Sequence, residues 1–282
     1  MLFSLIVPTL NRKDYLIKLF ESLDKQELRD FEVIIVDQNP IGFLDSIISN
    51  WDKRLNLIYK HVNFKGACRG RNYGIKFAKG EYVAFPDDDT EYPRKTLSLL
   101  AKEFSTRKEF DILITDCVDQ KNKETHLNHT RKVYYIKSIF SLLKARIVTS
   151  QIFTRKSIID SFHNEIFDEK MGPGSDTPYA SNDETDFLIK SLKAKKKIYL
   201  DRNIYILHPT HYPNYKKAYY YGLGRFRLIQ KHNIGIIFYL INILQPLLRL
   251  ILTLDFKRSR SYIASSLGRS GIQILLNEIC DH

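Results

Sequence analysis

Three consecutive aspartates, Asp87, Asp88 and Asp89, directly follow the apolar run Glu81-Tyr82-Val83-Ala84-Phe85-Pro86 in a chain of net charge +12. Like charges this close repel, so they need solvent, hydrogen-bond donors or a cation. Hard carboxylate oxygens suit Mg²⁺ or Mn²⁺, and such ions commonly bind through one or two carboxylates together with the phosphates of a substrate. An acidic turn or a helix cap accounts for the same residues without a metal, since Asp is frequent in both. The choice depends on what the fold brings beside them.

The first half of the chain alternates short apolar runs with helical spacing. Residues 2–7 read as a buried strand, and Tyr15, Leu16, Leu19, Phe20 and Leu23 recur at helical intervals. Strands follow at 31–36, ending at Asp37, and at 55–60, then a helix over about 66–78 and a strand at 82–85. This is the pattern of βαβ units around a mostly parallel sheet flanked by helices. Polar residues collect past three strand ends: Thr9, Asn11 and Arg12; Asp37 and Asn39; and the aspartate triplet. Ligands of open α/β sheets bind beyond the carboxyl ends of the strands, so three separate segments point at one pocket.

Further on, a helix is expected at 96–104, a strand at 111–115 and an exposed polar loop or edge region at 119–132. The turn-rich stretch 167–175 leads through Ser181-Asn182-Asp183-Glu184-Thr185-Asp186 into an apolar helix at 187–192. Ser181 or Asn182 can cap that helix, and acids in its first turn favour the helix dipole. Capping explains one of the three acids without requiring all of them. Residues 234–254 form a 21-residue stretch rich in Ile, Leu and Phe, long enough to span a bilayer. Asn242, Gln245, Pro246 and Arg249 interrupt it, and a charge at mid-membrane is costly. It reads as one or two interfacial helices broken near Pro246, with Lys257, Arg258, Arg260 and Arg269 toward anionic headgroups. A buried helical hairpin or an oligomer contact is the competing reading.

The 282 residues suffice for one large domain or a domain with a C-terminal extension. With 44% hydrophobic and 27% charged residues, disorder does not dominate. The 44 Lys and Arg against 32 Asp and Glu imply an anionic partner: nucleic acid, a nucleotide or a membrane surface. A nucleic-acid binder should carry an RRM, KH or zinc-finger signature or a dense basic helix; none is present, and the acidic cluster would have no role. Cys68, Cys117 and Cys280 form no CxxC pattern and read as reduced thiols of a cytosolic chain. The apolar N-terminus lacks a basic leader and is too short for a signal peptide.

Taken in order, Val7-Pro8-Thr9-Leu10-Asn11-Arg12, Val36-Asp37, Gly66-Ala67-Cys68-Arg69-Gly70-Arg71-Asn72-Tyr73-Gly74-Ile75, Phe85-Pro86-Asp87-Asp88-Asp89, Asn182-Asp183-Glu184-Thr185-Asp186-Phe187, His208-Pro209 and Tyr221-Gly222-Leu223-Gly224 resemble the family 2 glycosyltransferases. These have the GT-A fold, and the likeness is to bacterial enzymes of capsule and surface-polysaccharide assembly. It covers roughly residues 1–225, leaving 226–282 as a C-terminal helical, membrane-associating extension.

The resemblance implies a nucleotide-sugar donor, commonly a UDP-sugar, and transfer with inversion. Pro8 and Thr9 would line the nucleotide pocket, with Asn11 and Arg12 beside them. Asp37 would accept from the base N–H, a contact that discriminates bases. Arg71 would lie over the nucleotide or its diphosphate, and Asn72 would be a second polar contact or a solvent-facing helix residue. Asp87 and Asp89 have the family's DxD spacing, with Asp89 a direct ligand of Mn²⁺ or Mg²⁺ and Asp87 a metal or ribose contact. Asp88 is a donor-site neighbour or structural. His208 would complete the metal site, with His211 competing.

Inversion needs a base for the acceptor hydroxyl. The pair Asp183-Glu184 matches the family's Glu-Asp with the acids exchanged: by position Glu184 is the base, and by relatives reading Glu-Gly-Thr-Asp it is Asp183, the preferred choice. Asp186 caps or supports the helix. The implied partners are a nucleotide-sugar donor, a lipid-diphosphate-linked glycan or polysaccharide acceptor and peripheral contact with an anionic membrane from the cytoplasmic side. No nucleic acid is expected, and self-association is left open. A nucleotidyltransferase-like enzyme remains an alternative, but the turn Pro8-Thr9-Leu10-Asn11-Arg12 is not the glycine-rich phosphate loop typical of that class.

Overall fold

The computed structural model describes residues 1–119, 121, 132–210 and 214–272. In chain order its elements are β1 (Phe3–Thr9), α1 (Lys13–Asp24), β2 (Phe31–Asp37), α2 (Asp45–Trp51), β3 (Leu57–His61), α3 (Ala67–Ile75), β4 (Tyr82–Ala84), α4 (Thr96–Thr106) and β5 (Ile112–Val118). They continue with β6 (Val133–Ile136), α5 (Ile139–Ala145), β7 (Ile152–Arg155), α6 (Lys156–Ser161), α7 (Asp183–Lys193), β8 (Ile198–Leu207), α8 (Tyr215–His232), α9 (Ile236–Thr253) and α10 (Ser259–Ser270).

The strands form one sheet in the order β3-β2-β1-β4-β7-β5-β8-β6. β3, β2, β1 and β4 run parallel. β7 is antiparallel to both β4 and β5, β5 is parallel to β8, and β6 closes the edge antiparallel to β8. The parallel sheet expected from the first half is thus continued by a mixed second half, and helices flank the whole.

β1 and β2 are buried at every position, which is why they read as unbroken apolar runs: both faces are covered. Alternate residues feed two cores. Ile6, Ile34, Val36 and Val83 pack with Phe85, Met171 and Phe187, while Leu5, Val7, Val33 and Ala84 pack with Leu16, Leu19, Phe20 and Leu100. Gly74 lets α3 lie on the sheet, since a Cβ there would stand 2.4 Å from Ile6 Cγ2. The register pairs Thr9 with Asp37. Their side chains, and the chain leaving β4 toward Asp87, therefore meet at one edge of the sheet.

α9 departs from the sequence reading, because it runs unbroken through Pro246. Proline lacks the N–H that would serve the carbonyl four residues back, here that of Asn242. Arg269 Nη1 of α10 donates to that oxygen at 3.0 Å, and Ser266 Oγ donates to Ile243 O at 2.7 Å. The Arg269 side chain therefore replaces the one missing helical donor, and Ser266 adds a second tie between the two helices. α10 comes equally close to α8: a Cβ on Gly268 would lie 2.1 Å from Tyr219 O. The outer side of α9 stays bare, with Ile237, Leu240, Ile241, Leu244, Leu248 and Ile251 exposed. Among the described residues it is the one helix long and apolar enough to cross a membrane.

Candidate active site

The aspartate triplet occupies the turn after β4, and each member has different partners. Asp88 accepts from Thr9 Oγ1 at 2.8 Å and Arg12 Nη1 at 3.2 Å. Arg12 Nη1 also reaches Asp89 Oδ2 at 2.5 Å. Asp87 Oδ2 accepts from Ser150 Oγ at 2.9 Å, while the Asp87 N–H donates to the same Ser150 oxygen at 3.1 Å. Ser150 was not legible beforehand: it stands in a single 3₁₀ turn before β7, and a lone Ser in a Thr-Ser-Gln run carries no signal.

His208, just past β8, faces the triplet from the far side, with Nε2 3.1 Å from Asp89 Oδ1 and 3.7 Å from Asp87 Oδ2. One ligand atom from each of Asp87, Asp89 and His208 lies within 4.8 Å of the others. His211 lies outside the described residues. Burial pulls the His208 imidazole down, but the carboxylates of Asp87 and Asp89 close to it prevail and raise it to about 10. Burial likewise opposes ionisation of Asp87 and Asp89; Arg71 and His208 hold Asp87 below the usual carboxylate range, and His208 chiefly does so for Asp89. Asp88 goes the other way, pushed up to about 6 by burial that Arg12 and Thr9 only partly offset.

These residues fit a divalent cation. The two carboxylates suit Mn²⁺ or Mg²⁺, and the imidazole beside them favours a transition ion such as Mn²⁺ over Mg²⁺. Asp89 Oδ1 is buried yet accepts no well-aligned hydrogen bond. A metal held by Asp87, Asp89 and neutral His208 would supply the positive charge that the two carboxylates call for.

Arg71 links this turn to the acids of α7. It is 2% exposed; Nη2 donates to Asp87 Oδ1 at 2.6 Å and Nη1 to Asp183 Oδ2 at 3.0 Å. The guanidinium expected over a nucleotide is thus committed to two carboxylates. Asn72 does not face solvent either. It is buried, donates to Phe167 O at 2.9 Å and Glu169 Oε1 at 3.1 Å, and accepts from the Phe167 N–H, pinning the loop before α7.

α7 begins at Asp183, four residues earlier than its apolar pattern starts, so all three acids stand in its first turn. Asn182 occupies the N-cap position but makes no side-chain cap bond. It donates to Ser181 Oγ and accepts from Arg225 instead. Asp183 is buried against Arg71. Glu184 is half-buried, and its carboxylate accepts from Thr185 Oγ1 at 2.7 Å; burial, then the Asp183 charge, push its carboxyl up to about 8. Asp186 is fully buried and anchors the helix: His232 Nε2 lies 2.8 Å away and Lys231 Nζ 3.0 Å. Lys231 and His232, at the end of α8, are a part of the site's support that sequence reasoning missed.

At the end of β2, Asp37 is fully buried, its Oδ1 accepting from the Asn39 N–H at 2.9 Å and Asn39 Nδ2 at 2.6 Å, its Oδ2 from Tyr59 OH at 2.7 Å. The Asn11 N–H donates to Asn39 Oδ1 at 2.6 Å, joining the first two strand ends. Pro8 packs against α3, where a Cβ on Gly70 would stand 2.8 Å from Pro8 Cβ. The structure therefore gathers Pro8, Thr9, Asn11, Arg12, Asp37, Arg71, the triplet, Asp183, Glu184 and His208 at one edge of the sheet. A cavity of about 250 Å³ opens beside Asp89 and His208, lined also by Tyr15, Lys18 and Thr210. A larger one of about 550 Å³, at Ser22, Gln26, Tyr92 and Arg94, contains none of these residues.

The family described as Glycosyl transferase family 2 matches residues 4–167, more than half the chain, and the chain belongs to that family. It is 36% identical over 103 residues to the GalNAc(5)-diNAcBac-PP-undecaprenol beta-1,3-glucosyltransferase of Campylobacter jejuni, covering 36% of this chain and 33% of that protein. It is 37% identical over 101 residues to the poly(ribitol-phosphate) beta-N-acetylglucosaminyltransferase TarS of Staphylococcus aureus, covering 34% of this chain and 18% of TarS. The match thus spans a third or less of either relative's length. The fold is that of TarS residues 1–349 in complex with UDP-GlcNAc (TM-score 0.59, 18% identity, 96% of this chain and 92% of that one). It is equally that of the mannosyltransferase PcManGT of Pyrobaculum calidifontis in complex with GDP-Man and Mn²⁺ (TM-score 0.61, 14% identity, 98% and 77%). The chain is thus a member of glycosyl transferase family 2 with the GT-A fold.

Proposed function

We propose that the protein moves a sugar, with inversion, from a UDP-sugar to a lipid-diphosphate-linked or polysaccharide acceptor in bacterial surface-polysaccharide synthesis, working peripherally at the cytoplasmic face of the membrane. Residues 1–225 form the catalytic domain and 226–282 the extension that meets the lipid. The observation that carries the reading is the continuity of Asp89, His208, Asp87, Arg71 and Asp183: a metal-type cluster is joined through one guanidinium to a pair of acids opening a helix.

In this reading Pro8, Thr9, Asn11 and Asp37 bound the uridine pocket, and Arg12 holds Asp88 and Asp89 in place for the diphosphate. Asp89, Asp87 and His208 would hold Mn²⁺ or Mg²⁺, whose charge offsets the charge building on the departing nucleoside diphosphate. Arg71 keeps Asp87 ionised and turned toward the cluster. The base is Glu184. Asp183 is spent on Arg71, whereas Glu184 has no cation in hydrogen-bond contact among the described residues and a raised proton affinity, the condition in which a carboxylate accepts a proton near neutral pH. Asp183 positions the helix start. The Campylobacter relative's name specifies an undecaprenol-diphosphate glycan, and the TarS and PcManGT complexes hold a UDP-sugar and Mn²⁺; these support the acceptor, donor and metal assignments respectively.

The test is UDP release from a panel of UDP-sugars with Mn²⁺ and membrane-extracted acceptor, comparing Glu184→Gln with Asp183→Asn. Glu184→Gln should lose at least a hundredfold in kcat with donor affinity intact. Near wild-type turnover in Glu184→Gln would remove it as the base.

A further inference from the structure

Behind the start of α7 the chain gathers arginines that no carboxylate pairs. Arg225 on α8 donates through Nη1 to Asn182 Oδ1 at 3.1 Å, one residue before Asp183, and through Nε to Asn242 Oδ1 on α9 at 3.2 Å. Arg269 on α10 donates through Nη1 to Asn242 O and to Gln245 Oε1 at 2.8 Å. Arg146, exposed at the end of α5, adds its charge to that of Arg225 against Arg269, and with burial they bring the Arg269 guanidinium down to about 10. Among the described residues none of the three forms an ion pair. Burial also lowers Arg225, and Glu184 is the carboxylate whose charge works against that.

Rescue of the carbonyl orphaned by Pro246 accounts for Arg269 Nη1, but two donors are left over. Arg269 Nε and Asn242 Nδ2 are buried with no partner, and Asn242 is only 7% exposed. Unpaired donors between two guanidiniums call for an anion with several acceptor oxygens. The surroundings are basic as well: between residues 214 and 272 there are ten Lys and Arg and one acid, Asp255. From this cluster one direction leads through Asn182 to the Asp183-Glu184 pair, and the other to the bare apolar side of α9.

We propose that Arg225, Arg269, Arg146 and Asn242 seat the diphosphate of a lipid-linked acceptor, so that its sugar reaches Glu184 while its apolar chain leaves along α9. This rests on the glycosyl-transfer reading of the site. The diphosphate is preferred to a phospholipid headgroup because Arg225 ties the cluster directly to the residue preceding the acid pair, where an acceptor must sit.

The test is direct binding of farnesyl diphosphate and of inorganic pyrophosphate to the full chain in EDTA, which removes metal-mediated binding at Asp89. Arg146→Gln leaves an exposed position, and Asn242→Asp fills the cluster with its own anion without changing side-chain size. Each should weaken both probes at least tenfold, with the melting temperature held or, for Asn242→Asp, raised. Affinities unchanged in both variants, or no saturable binding to the wild type, would overturn the proposal. So would a tenfold loss confined to phosphatidylglycerol vesicles, which would make this a headgroup site. UDP titrated with Mn²⁺ reports separately: its failure to bind wild type would sink the donor-site reading while the farnesyl diphosphate result still decides this one.

Discussion

Arg71 Nη1 donates to Asp183 Oδ2 at 3.0 Å across 112 residues of sequence, while its Nη2 holds Asp87. Arg71 and Asp183 are both almost wholly buried, so neither charge has water to fall back on. Arg71→Met leaves the buried Asp183 without its cation, while Asp87 keeps Ser150 and His208, and should destabilise the fold by ~3–5 kcal/mol, the range for breaking a buried pair from one side. Denaturant unfolding measures it. Arg71→Lys, which cannot form the two-pronged contact, should recover less than half of the loss.

Metal affinity should depend on pH through His208. With its folded value near 10, the imidazole is protonated at neutral pH in the absence of metal, and a metal must displace that proton. Mn²⁺ affinity should therefore rise by up to about tenfold per pH unit between 6 and 9, with about one proton released on binding. Calorimetry in two buffers of different ionisation enthalpy reads the proton directly. His208→Asn should bind more weakly and lose most of the slope.

The pH dependence of turnover identifies the base. A base must be deprotonated, so activity should climb as pH rises through the Glu184 value, near 8, and fall away below it. Glu184→Asp should retain measurable turnover, whereas a limb that persists unchanged in Glu184→Gln belongs to another group.

Asp186 ties the start of α7 to the end of α8 through Lys231 and His232. Burial opposes its ionisation, but His232, Lys190 and Lys231 hold it down at about 2, against an ordinary value near 3.8. A depressed folded value adds stability above the unfolded value, and that stability is lost as pH falls from about 4 through 2; the difference is roughly 2 kcal/mol. Asp186→Asn should flatten acid unfolding in that window and lower stability at neutral pH.

The proposed membrane contact rests on the bare side of α9. Leu240→Glu with Leu244→Glu should cut co-sedimentation with phosphatidylglycerol vesicles at least tenfold and leave UDP binding intact. Equal sedimentation would assign that surface to something other than lipid.

The first half of this architecture was legible because local rules agree there: buried strands as apolar runs, polar residues past their ends, an acidic triplet after β4. The boundary of α7 was not, because three of the four residues in its first turn are acids and its apolar stripe starts later; what holds that turn is Arg71 and Lys231, both remote in sequence. β7 and β8 left little trace, being short or flanked by basic residues. Pro246 misled for a simple reason. Sequence shows the missing N–H, but Arg269, which replaces it, comes from another helix. Ser150 and the commitment of Arg71 to two carboxylates are likewise facts of tertiary packing.

The central claim is that the cluster of Asp87, Asp89 and His208 binds a nucleoside diphosphate through a metal. Calorimetric titration of UDP into wild type and Asp89→Asn, with and without Mn²⁺, tests it most directly. The expected result is wild-type binding at least tenfold tighter with Mn²⁺, and no such gain in Asp89→Asn. UDP affinity indifferent to both the metal and the substitution would contradict it.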